Sequence, residues 1–195
     1  MHLLVLGLVV LMVNLGLWQL RRLDERRDRN DLVAARAALP TEPVEDLTGD
    51  PDDLRFRPVT ATGEYGATTA VRTTQDGASG AWVLSDLTLD GGRTVVVLRG
   101  FTGLNDDASV PEPPPPPGEV TVEGLAIPAD RLPRIARTAA ERLDAELPVV
   151  VQATEPEGDL LTPLPLPDVD DEGPHLAYAV QWFLFATILT VGYPI

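Results

Sequence analysis

The sequence has no cysteine, two histidines, two methionines, and only 5% aromatic residues. Without Cys there is no disulfide framework and no thiolate zinc site. Two Met and two His fall short of the soft-ligand set of a copper carrier. Only Ser79, Ser85 and Ser109 offer serine hydroxyls, and no nucleophile–base pair, phosphate loop or carboxylate dyad accompanies them. The chain therefore reads as a non-enzyme. Lysine is also missing: all 15 basic residues are Arg, set against 30 acids for a net charge of −15. Five of them (Arg21, Arg22, Arg26, Arg27, Arg29) crowd together, and the other ten face 27 acids. Such a field repels nucleic-acid phosphates. Solubility explains it most simply, and a basic partner surface is the second reading.

What is present lies at the two ends. Residues 1–17 carry no formal charge and lead into Trp18-Gln19-Leu20-Arg21-Arg22, and a second apolar run occupies residues 175–195. About 20 helical residues cross a 30 Å hydrocarbon core, so both runs are long enough to span the bilayer. The first lacks a basic leader and a small-x-small cleavage site, which favours a retained anchor over a signal peptide. Arg-rich flanks favour the cytoplasmic side, which would put the Arg21–Arg29 stretch inside, but charge counting alone does not settle the topology.

Between the spans, residues 20–38 hold no Pro or Gly and continue the helix until Pro40 and Pro43. Residues 55–63 read as a strand, 63–66 as a turn, and 68–73, 81–89 and 94–98 as β-branched strands. Asp90-Gly91-Gly92 is a hairpin loop, and Arg99-Gly100-Phe101 closes that unit. The prolines of residues 111–117 impose extended polyproline II, a stiff connector. A further strand is expected at 119–126, a short helix within 131–147 and best at 138–145, a strand at 149–153, and an edge or extended run at 160–166. The fold class is an α+β membrane protein: two transmembrane helices flank a mainly antiparallel β domain, a sheet or small open barrel. Its expected divisions are a first span at 1–20, a helical extension at 21–39, the β-rich domain at 40–174 and a second span at 175–195.

Four blocks carry a resemblance: Gly16-Leu17-Trp18-Gln19-Leu20-Arg21-Arg22, then Arg57-Pro58-Val59 with Gly63-Glu64-Tyr65, then residues 77–101, and most specifically His175-Leu176-Ala177-Tyr178-Ala179-Val180-Gln181-Trp182-Phe183. On these the chain resembles the Surfeit locus protein 1 family of cytochrome c oxidase biogenesis factors, here of bacterial type. It departs from the family at Ser85-Asp86-Leu87, where Pro-Leu is usual, and at Phe101, where Trp is common. The resemblance implies two spans in the cell membrane, cytoplasmic termini and an extracytoplasmic domain, against the Arg-cluster reading. It also implies terminal oxidase subunits as partners, and a role in delivering haem a to the large catalytic subunit. The alternative is an accessory subunit stably bound to the oxidase, with no cofactor of its own.

Helical spacing puts His175, Tyr178 and Trp182 on one face, with Gln181 and Phe185 flanking it. One reading makes His175 an axial ligand to the iron of a transiently held haem a, packed by Trp182 and Phe185. The other is an interfacial aromatic belt with a polar helix start. Trp18 and Arg22 join the candidate set, Arg22 as a clamp on a haem propionate or on lipid phosphate. An amide in lipid needs a partner, so Gln181 is expected to pair with Gln19 or Asn14, bringing the two spans into contact. Arg57, Tyr65, Arg72 and Arg99 read as structural, pairing with the abundant acids.

Overall fold

The computed structural model describes residues 2–193, and the chain divides into two compact units, residues 1–34 with 167–195 and residues 35–166. The elements in chain order are α1 (His2–Ala37), β1 (Glu42–Pro43), α2 (Pro51–Leu54), β2 (Pro58–Gln75), β3 (Ala78–Leu89), β4 (Thr94–Gly103), β5 (Glu119–Pro128), α3 (Arg134–Arg142), β6 (Val149–Ala153) and α4 (His175–Gly192).

In the first unit, α1 and α4 are, among the described residues, the two helices long and apolar enough to cross a membrane. The 36 residues of α1 rise about 54 Å, well beyond one hydrocarbon core, so the apolar run and its charged extension form one unbroken helix. The expected end of the second span, at Pro194 and Ile195, falls outside the described residues.

The second unit is a sheet in the order β1-β2-β3-β4-β6-β5, and a further β2–β5 pairing joins β5 back to β2 as a small barrel. All pairings are antiparallel except β1–β2 and β4–β6. Strand β2 makes the closure: residues 58–64 pair with β5, and residues 63–75 pair with β3. The turn expected at 63–66 is therefore not there. Instead the strand runs on through a bulge between Tyr65 and Thr68, the extra residues bending it from one neighbour to the other. Gly63 sits at that corner, where a β-carbon would collide with the Thr88 carbonyl. Strand β4 likewise continues past Arg99 to Gly103, with Arg99 the extra residue of a second bulge.

Alternation along the strands builds two cores. Val95, Val97, Val149 and Val151 point into the barrel with Val59, Ala61 and Leu87. Val96, Leu98 and Val150 point outwards and are covered by α3 through Ala136, Ala139 and Ala140. Buried on both faces, β4 and β6 lose the polar alternation of an exposed sheet and read as continuous apolar runs. Helix α3 begins four residues earlier than the expected 138–145. Pro133 supplies an extended cap that starts the helix directly after it, and Asp144, at φ 50°, ends it.

Candidate functional site

One stripe of α1, stepping by three or four residues, meets the segment that opens α4. Gly16 is buried, and a β-carbon there would stand 2.6 Å from the Phe183 ring, so only glycine permits this approach. One turn on, Gln19 Oε1 lies 2.9 Å from His175 Nδ1. Two turns further, Arg26 donates to the Asp171 carbonyl and carboxylate at 3.0 and 2.8 Å, and Asn30 donates to the same carbonyl at 3.0 Å. Arg27 forms a bidentate pair with Glu172 at 2.7 and 2.9 Å. Bidentate guanidinium–carboxylate pairs fix angle as well as distance. Arg27 holds the Glu172 carboxyl below the usual carboxylate range through this hydrogen bond. The chain is thus latched just before Pro174, and the latch sets where the first residue of α4, His175, can lie.

The contact between the helices expected from their amides is present, but its chemistry differs. Gln19 pairs with His175, not Gln181, and Asn14 turns back on its own helix to the Val10 carbonyl at 2.7 Å. Gln181 is exposed and has no hydrogen-bond partner among the described residues. Rotation explains the difference. The buried residues of α4 are Ala179 and Ala186, in phase with His175 and Phe183, while Gln181 lies more than a quarter turn away.

The other candidate residues occupy two further places. Trp182 is half-buried and meets Phe185 edge-on at 6.1 Å, and Tyr178 is exposed. Trp18, also exposed, lies under the Arg22 guanidinium at 5.8 Å, while Arg22 pairs with Glu25 at 2.7 Å. Trp18 and Arg22 form a pair of their own, and neither hydrogen-bonds to His175. His2, the second histidine, stacks edge-on with Tyr193 at 5.5 Å.

Chemically, the imidazole is the informative group. The Nδ1–H tautomer of a neutral imidazole donates to this amide oxygen and leaves the Nε2 lone pair free. An outer hydrogen bond of this kind orients and sharpens a histidine for metal ligation. Gly173 flanks the free edge: a β-carbon there would be 3.6 Å from Nε2 and 3.5 Å from Cδ2, space that glycine leaves open. A metal bound here would find a single imidazole ligand, His175 Nε2. Among the described residues no group of three or more His, Asp or Glu side chains converges as a metal site.

Sequence reasoning missed the latch. Its signal was present in two acids, Asp171 and Glu172, immediately before the second apolar run, opposite in sign to the arginines after the first. In the second unit, Arg57 pairs with Glu42 at 2.9 Å, as its acidic surroundings suggest. Arg99 does not pair with an acid in that way. It is buried and donates to the carbonyls of Pro113 and Pro114, beside the Tyr65 ring.

A family profile described as SURF1 family matches residues 6–187, nearly the whole chain. No curated protein matches the sequence significantly.

Proposed function

This chain belongs to the SURF1 family, whose members act in assembly of cytochrome c oxidase, and from that premise we propose that it holds haem a for insertion into the oxidase's large subunit. In this reading α1 and α4 both span the cell membrane, and residues 35–166 lie on the extracytoplasmic side, where they meet oxidase subunits. Of the five arginines after the first span, Arg22, Arg26 and Arg27 are engaged by Glu25, Asp171 and Glu172. Much of the cluster thus has a structural use, so its presence is not by itself an orientation signal.

The observation that carries the reading is the Gln19–His175 hydrogen bond, which leaves Nε2 as the one free imidazole nitrogen at the latched end of the helix pair. His175 Nε2 would hold haem a through its iron, and a single imidazole would give the exchangeable hold that a carrier needs. Gln19 orients the ring, the latch of Arg26, Arg27 and Asn30 fixes its height, and Trp182 with Phe185 offers aromatic surface on the same helix. Arg22 lies over Trp18 and is paired with Glu25, so a propionate or a lipid phosphate would have to compete with that carboxylate for it.

The test is the absorption spectrum of the full chain, purified in detergent from cells that make haem a. A Soret band is expected in the wild type and in His2→Ala, and is lost in His175→Ala. A chain without pigment that purifies one-to-one with the oxidase overturns the carrier reading in favour of a fixed accessory subunit.

A further inference from the structure

A second site lies in the other unit, at the edge that β2 leaves open. Beyond Glu64 this strand has only β3 as a neighbour, and α3 runs beside its free side. Between them is a cleft of about 470 Å³, lined by Thr69 and Arg72 from β2 and by Arg134 and Arg142 from α3, over a floor that includes Val71 and Ala139. No acidic side chain lines it.

That absence is unusual in this unit, where 22 acids face ten arginines. Elsewhere in the unit three arginines find carboxylates, Arg36 with Asp53, Arg57 with Glu42 and Arg131 with Asp52, while Arg93, Arg99 and Arg137 donate to backbone carbonyls. In the cleft, Arg72 donates only to the Ala108 carbonyl at 2.8 Å, and Arg134 and Arg142 have no partner among the described residues. Residues 134, 138 and 142 recur every four positions, so one helical stripe presents both arginines to the cleft. Arg134 also occupies the first turn of α3, which contains no acid. The exposed amides at a helix start favour negative charge and disfavour a cation. Three guanidinium groups and a helix start thus face one space without a counter-charge.

We propose that this cleft binds a phosphate group attached to an apolar body. A carboxylate is satisfied by one bidentate guanidinium, whereas a phosphate has oxygens enough to engage several. The backbone amides of the first turn of α3 add further donors on the same side. Val71 and Ala139 give the apolar substituent a dry surface. A soluble ester and a phospholipid headgroup both present this chemistry, and the experiment distinguishes them. The site is independent of His175 and of any haem.

The experiment is calorimetric titration of the full chain in neutral detergent at low ionic strength, with inorganic phosphate and with short-chain phosphatidylglycerol, and phosphatidylcholine as comparison. Saturable binding is expected, weakened about tenfold for each arginine removed in Arg134→Gln and Arg142→Gln, and more in the double variant. Both side chains are exposed, so the variants retain the fold. The Arg55→Gln/Arg93→Gln variant removes the same two charges elsewhere and should bind as wild type. Binding of inorganic phosphate assigns a soluble ester. Binding of phosphatidylglycerol alone assigns a lipid headgroup. No saturable binding of either, or equal weakening by both double variants, overturns the proposal.

Discussion

Replacing Arg99 by Ala, Met and Lys tests what a buried guanidinium does in a domain of this size. Its side chain is only 2% exposed, and Nη1 lies 3.0 Å from the Pro113 carbonyl while Nη2 is 3.4 Å from that of Pro114. The guanidinium carbon stands 5.2 Å from the Tyr65 ring, and Nε has no partner. Burial pushes the guanidinium below its ordinary range, while the Tyr65 and Glu157 neighbours push it back up. Burial, then the Glu157 carboxylate, pushes the Tyr65 hydroxyl upward. Arg99 thus holds the polyproline segment onto the barrel through carbonyls that have no N–H neighbours within their own run of prolines.

The magnitudes follow from those contacts. A hydrogen bond to a charged donor is worth about 1.5–3 kcal/mol, and the longer second bond adds less. The cation–ring contact contributes about 1–2 kcal/mol where water is excluded. Against these stands the relief of removing a buried charge, so Arg99→Ala is expected to cost about 3 kcal/mol net. For a unit of this length that lowers the midpoint of thermal unfolding by about 10 °C. Arg99→Met keeps most of the volume and removes the donors, so it should still cost about 2 kcal/mol. Arg99→Lys keeps the charge but cannot span two carbonyls, and should fall between Met and wild type. Thermal unfolding of the full chain in detergent, with hydrogen exchange at residues 104–110, reads both stability and strap release. A Met variant melting within about 2 °C of wild type refutes the reasoning, because packing alone would then account for Arg99.

Two further perturbations address the helix pair. In Gln19→Leu the imidazole loses its acceptor, so ¹⁵N spectra of labelled histidine should change from the Nδ1–H form to a mixture; unchanged His175 shifts would show that Gln19 does not set the tautomer. Glu172 has a depressed carboxyl, so its contribution is complete above the unfolded value near about 4.3 and is lost as pH falls through the lower folded value. Spin labels at Leu17→Cys and Leu176→Cys, unique in a chain without cysteine, should separate below about pH 4, and Glu172→Gln should remove most of that response. A distance that is constant with pH would dismiss the latch.

How legible this molecule is from sequence depends on the range of the determining contact. The apolar helices, the unbroken extension of α1 and strand β6 at Val149–Ala153 follow from local composition, and the structure places them where composition does. Closure of the barrel does not follow, because it depends on β2 meeting β5 some 60 residues away, through a corner whose Gly63 and Gly66 read locally as a turn. The start of α3 depends on Pro133, and propensity, which marks the alanines at 139 and 140, does not register where the helix begins. The partner of Gln19 turned on helix phase. Asn14, Gln19 and Gln181 are equivalent as amides, and chemistry alone cannot choose among them.

The small residues choose. Gly16 admits the Phe183 ring at a distance no other residue tolerates, and Ala179 and Ala186 are the buried residues of α4. A contact face drawn through glycine and alanine, rather than through the polar groups, passes through His175 four residues before Ala179 and leaves Gln181 outside. The same face, continued along α1, reaches Arg26 and Asn30, whose targets are the residues immediately before the second apolar run. Close helix approach therefore comes first. The imidazole–amide bond and the charged latch are consequences of its phase, and a bulky side chain at Gly16 would disturb His175 without touching it.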